Sequence, residues 1–208
     1  MIVKEKFNQK LLVEGNDDQH VIWALCEKYD IRETFDVIDC IGIDKLIEQI
    51  PVRFKSSGTK TVGIIVDADA NLAGRWSTLK KELSNAGFKV PENIPHEGLI
   101  MHNDLYKAGV WIMPDNRQNG MLEDFISFLI PHDDRLLPVV DSIIEKIEAT
   151  KINKYKMIHH SKASIHTWLA WQEDPGTPLG AAITKRYLTT EEATCKRLID
   201  WMNNLFFE

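Results

Sequence analysis

Residues 61–66 read Thr-Val-Gly-Ile-Ile-Val, an unbroken run without one charged position. A strand with one wet face alternates apolar and polar residues. A run that does not alternate is covered on both faces, as in a parallel sheet between two helical layers. An earlier run ending Leu-Leu-Val-Glu14 predicts a strand over residues 10–14, and the alternation Phe-Asp-Val-Ile-Asp-Cys predicts another over 35–40. Helical patterns fill the gaps. Residues 17–29 carry Val21, Ile22, Leu25 and Cys26 on one face, with Asn16 or Asp17 as N-cap. Gly42 opens a second helix carrying Leu46, Ile47 and Ile50, and residues 71–86 form a third, ended by Gly87. Such strand–helix alternation argues an α/β fold with a mainly parallel sheet flanked by helices.

Beyond residue 97 the pattern changes. Two short apolar runs, 98–102 and 109–113, predict an antiparallel hairpin or two edge strands. From Met121 onward the chain is helical, over 121–129, 135–150, 163–171 and 190–207. The reading is an α/β domain over residues 1–130 with a C-terminal helical extension over 131–208 packed on it. No flexible linker marks the step at 131–134, so one continuous domain fits as well. A chain of 208 residues with 44% hydrophobic content has the material for a real core. No apolar signal-peptide core follows the first residues, and no stretch approaches membrane-spanning length. Cys26, Cys40 and Cys195 lie far apart and match no zinc or redox spacing. Buried thiols in a reducing cytoplasm, with no membrane partner, are the expectation.

The strand ends carry the chemistry. Glu14 directly follows Leu-Leu-Val and precedes Gly15, where the backbone has room to turn. Asp67 and Asp69 close the most apolar strand of the chain and project to one side if strand geometry continues that far. In open α/β sheets ligands bind at the carboxyl ends of the strands. If the two strands are parallel neighbours, three carboxylates converge and repel one another unless a cation or proton sits among them. Oxygen donors with nothing soft nearby suit Mg2+ or Mn2+. Asp17 and Asp18 read as acids complementing a helix dipole. The net charge of −6 argues against a surface that is a nucleic-acid footprint throughout, though not against a local basic groove.

Glu14-Gly15 after one strand, Gly42 after a second and Asp67-Ala68-Asp69 after a third resemble the topoisomerase–primase (TOPRIM) domain, over roughly residues 8–125. The stretches Gly120-Met-Leu-Glu123-Asp124-Phe and Lys162-Ala-Ser-Ile-His-Thr-Trp resemble stand-alone bacterial TOPRIM-like proteins related to the nuclease domains of overcoming-lysogenisation-defect (OLD) proteins. That resemblance implies a divalent-metal site for phosphodiester chemistry. Glu14 would be a ligand or general acid/base, and Asp67 and Asp69 ligands. Glu123 is the candidate for a further ligand and Lys162 for a catalytic lysine. Glu123 also suits a first helical turn, and Lys162 a solvated surface. No Gly-x-x-x-x-Gly-Lys phosphate loop occurs among these residues, so no ATPase half is expected within them.

His159, His160 and His166 fit no spaced metal pair; a contact to a substrate phosphate suits His160 or His166 better. Trp168 and Trp171, three apart, read as core. Arg75 would meet a phosphate or pair with a surface acid. The favoured function is a metal-dependent nuclease acting on DNA or RNA. The alternative is a non-catalytic scaffold that serves a protein partner. A phosphatase with an Asp-x-Asp nucleophile fits less well, because that motif is expected on the first strand.

Overall fold

The computed structural model describes residues 5–207. Its five strands are β1 (Gln9–Val13), β2 (Asp36–Asp39), β3 (Thr61–Asp67), β4 (Leu99–His102) and β5 (Lys107–Met113). Their order in the single sheet is β2-β1-β3-β5-β4. β1 pairs in parallel with β2 and β3, and β3 in parallel with β5; only β4 runs against its neighbour. The fold is thus the expected mainly parallel α/β sheet. Of the two later runs, only β4 is an edge strand. β5 lies inside the sheet, and its buried Val110, Trp111, Ile112 and Met113 show the same two-sided cover as β3.

Helix α1 (Asn16–Lys28) connects β1 to β2, and α2 (Ile43–Lys55) returns the chain across β1 to β3. The chain therefore reverses direction between β1 and β3, which opens a crevice beyond their carboxyl ends. α3 (Leu72–Asn85) packs beside α2 on one face, where Leu12, Ile64, Val66 and Ile112 meet Leu46, Ile50, Trp76 and Leu79. The other face takes α1 and the later helices: α4 (Leu122–Phe128), α5 (Leu137–Ala149), α6 (His160–Ala170), α7 (Leu179–Thr184) and α8 (Ala193–Phe207). There Leu11, Val13, Ile65 and Trp111 share one apolar cluster with Phe125, Trp168, Trp201 and Leu205. The alternation of Leu11 and Leu12, or Ile64 and Ile65, between the two clusters is the period of two expected of a strand.

α8 lies very close to the sheet. Gly63 and Gly109 are register partners on β3 and β5. A Cβ on either would meet a Leu205 methyl carbon, at 2.8 Å from Gly63 and 2.6 Å from Gly109. The Trp201 indole N–H donates to the Leu99 carbonyl at 3.0 Å and fixes the helix over the sheet. Trp168 is buried as expected. Trp171 is not: α6 ends at Ala170, so Trp171 leaves the helical face and is 40% exposed. Among the described residues no helix is long and apolar enough to cross a membrane.

Candidate functional site: an acidic cleft at the strand ends

Because β1, β2, β3 and β5 run the same way, Glu14, Asp39 and Asp67 come to one edge of the sheet. They border a cleft of about 990 Å³ together with Asp18, Asp69, Glu123, Lys162 and His166. The sequence candidates Glu14, Asp67, Asp69, Glu123 and Lys162 are thereby brought to a single cavity.

Glu14 is tied to the neighbouring strand. Its Oε1 accepts the Asp67 backbone N–H at 2.8 Å. Burial raises the proton affinity of Glu14, opposed by that hydrogen bond and by the Arg75 charge. Asp67 is raised well above the usual carboxylate range, first by burial and then by the charges of Asp18, Glu14 and Glu123. Its Oδ1 is buried and has no hydrogen-bond partner.

Asp18 is the residue that sequence reasoning under-weighted. Gly15 is the N-cap of α1, and the Asp18 Oδ2 accepts its N–H at 3.1 Å. That capping contact is what the helix-dipole reading expected. The other oxygen, Oδ1, is buried without a partner, and burial with the nearby Glu14 charge pushes Asp18 up to about 7. A lone capping acid would be solvated. The available signal was its place one helical turn after Glu14, on a helix that starts where β1 ends. Asp39 was not singled out either, though it closes the alternating strand β2 and lines the cleft.

β3 ends at Asp67, so strand alternation does not carry on to Asp69. Asp69 has φ +51°, and its N–H and C=O both pair with Gly120 at 2.8 Å. This bridge ties the end of β3 to the start of α4. The Asp69 carboxylate accepts from Arg75 at 2.6 Å, while the Arg75 Nε donates to the Asp67 carbonyl at 2.7 Å. Arg75 thus pairs with an acid of the site itself.

α4 and α6 supply the far wall. Glu123 is buried in the first turn of α4, and its Oε1 meets Lys162 Nζ at 3.0 Å and His166 Nε2 at 4.0 Å. Burial lowers the proton affinity of Lys162, but its hydrogen bond to Glu123 and the charges of Glu123, Asp17 and Asp67 outweigh this and hold it raised. The ammonium stays charged and half exposed at the cleft. His160 does not reach this wall; its Nδ1 contacts Glu148 at 2.8 Å.

Among the described residues no three His, Cys, Asp or Glu side chains stand close enough together to coordinate one ion as they are. The donor set nonetheless suits a hard dication. Every candidate atom is a carboxylate oxygen, and two of them are buried without a hydrogen-bond partner.

No curated protein and no solved structure matches the chain. Residues 8–207 match the family model described as "Protein of unknown function (DUF3226)", and the chain belongs to that family.

Proposed function

We propose that the cleft carries out divalent-metal-dependent phosphodiester hydrolysis, as a nuclease of TOPRIM type. The observation that carries this reading is the pair of partnerless oxygens, Asp67 Oδ1 and Asp18 Oδ1, beside a Glu14 anchored 2.8 Å from the Asp67 N–H. Buried carboxylates crowded together need compensation, and their two remedies are a proton or a cation. Glu14, Asp67 and Asp18 would hold Mg2+ or Mn2+ once drawn closer together than they stand. Such an ion, when bound, activates a water and stabilises charge on a phosphate.

The chain's own residues then have separable tasks. Glu14 is held rigid by its bond to the neighbouring strand, and its raised proton affinity suits it to take a proton from a nucleophilic water. Lys162 presents a positive charge to a non-bridging phosphate oxygen while anchored by Glu123. Arg75 positions Asp69 and the Asp67 carbonyl.

The test is hydrolysis of oligonucleotides and of bis(p-nitrophenyl) phosphate with magnesium or manganese. Loss of activity in Glu14→Gln/Asp67→Asn is expected; undiminished turnover in that variant would sink the assignment. One observation favours a non-catalytic scaffold serving a protein partner: Asp69 and Glu123 are each already neutralised, by Arg75 and Lys162. Calorimetry showing metal binding to a chain with no turnover on any phosphodiester would select that scaffold.

A further inference from the structure

The chain is acidic, yet its cations are not spread evenly. The sixteen residues from Lys151 to His166 hold Lys151, Lys154, Lys156 and Lys162 with three histidines, and no Asp or Glu at all. This segment runs from the end of α5 through a 3-10 turn, Met157–His159, into α6. It is built into the cleft: Tyr155, His159, Lys162 and His166 line the acidic cavity. Ile158 lines a hollow beside it with Asp69, Asn71 and Arg75.

The segment is held in place from behind. The Tyr155 hydroxyl and His160 Nδ1 both contact Glu148 Oε1 at 2.8 Å, and the Asn153 amide donates to the Tyr155 carbonyl at 2.9 Å. Lys151, Lys154 and Lys156 are all exposed, and none has an ion-pair partner among the described residues. Between them Ile152, Met157 and Ile158 are exposed at 63, 60 and 43%.

A phosphate approaching a group of carboxylates is repelled at long range. Cations beside the acids reverse that field for a polyanion while leaving the acids free for a metal. We infer that residues 151–162 form the docking strip for a nucleic-acid strand, with backbone phosphates on Lys154, Lys156 and Lys162 and sugars or bases against Met157 and Ile158. The inference rests on the phosphodiester reading of the cleft for what happens to the strand once bound. It adds that the substrate is a polymer held outside the cleft as well as a phosphodiester within it.

The experiment is fluorescence anisotropy with a labelled 20-nucleotide single strand in EDTA, so that neither metal nor turnover is needed. Lys154→Ala/Lys156→Ala is compared with Lys81→Ala/Lys89→Ala, an equal charge change at exposed positions far from this segment in sequence and on another helix and the loop after it. Wild type and the Lys81/Lys89 variant should bind equally. The Lys154/Lys156 variant should lose about ten-fold in affinity, and its plot of log K against log salt should flatten by about 1.4, two phosphate contacts at ~0.7 each. Equal losses in both variants, or none in either, overturn the strip. So does a labelled polyglutamate that binds as tightly as the oligonucleotide, which would mark an acidic protein partner instead. A wild-type chain that binds through Lys154 and Lys156 but never cuts with magnesium or manganese defeats the phosphodiester reading and leaves the strip standing.

Discussion

The Glu14 carboxylate accepts the backbone N–H of Asp67 at 2.8 Å, across fifty-three positions of sequence. The contact fixes the acid that follows β1 against the acid that ends β3, at the point where the sheet reverses its winding. The Glu14 carboxyl is thus held at the Asp67 backbone, and the two acids stay close whether or not a counter-ion is present.

Glu14→Gln should keep the fold and lose the site. The amide oxygen can still accept from Asp67, so the thermal midpoint should stay within about 3 °C of wild type. Manganese affinity, read by isothermal titration, should fall at least ten-fold, because a charged donor has become a neutral one. Unchanged affinity would remove Glu14 from the metal centre.

Without metal, the chain should be less stable at pH 8 than at pH 5.5. Folded Asp18 holds its proton up to about pH 7, whereas the unfolded chain releases it near 4. The folded state therefore binds more protons in that window, and stability is lost as pH rises through it. Asp67 and Glu14 are shifted in the same direction and add to the slope. Asp36, held below its usual value chiefly by Lys10 and backbone donors against its burial, acts only at lower pH. A midpoint drop of roughly 5 °C or more by calorimetry is expected, with a smaller drop in Asp18→Asn. A flat profile in wild type would contradict the buried acid cluster.

Saturating manganese at pH 8 should restore that stability. A ligand at a hundred times its Kd adds about 2.7 kcal/mol to a folded state that alone binds it. The gain should vanish in Glu14→Gln/Asp67→Asn. Equal gains in both proteins would place the ion elsewhere.

Lys162→Met should destabilise the chain by roughly 1–3 kcal/mol in urea, since it strands the buried Glu123 carboxylate. Adding Glu123→Gln should recover most of that loss without recovering hydrolysis. A double variant that regains activity would make the lysine merely structural.

Gly63→Ala should cost about 1–3 kcal/mol through overpacking, because the new methyl meets Leu11 at 2.7 Å and Leu205 at 2.8 Å. Pairing it with Leu205→Ala should cost less than the two single effects added together. Strict additivity in urea melts would show that α8 does not press on this glycine.

The layered α/β fold was legible in the residues alone, since a largely β-branched run that never alternates, as in β3, has no stable place except between two apolar layers. The sequence also brought Glu14 and Asp67 to strand ends, because both lie directly after buried runs. Tertiary structure alone decided the rest. Asp18 serves as a helix cap in any sequence reading, and only the closeness of Glu14 and Asp67 makes its second oxygen a buried, partnerless one. Strand periodicity could not foresee that β3 stops at Asp67, or that Gly120 and Arg75 hold Asp69 to one side. Lys162 and Glu123 stand thirty-nine positions apart on two helices, and neither helix encodes the other's position. Local periodicity is a property of neighbouring residues; a site shared by β1, β3, α4 and α6 exists only once long-range packing has chosen which helix faces which strand.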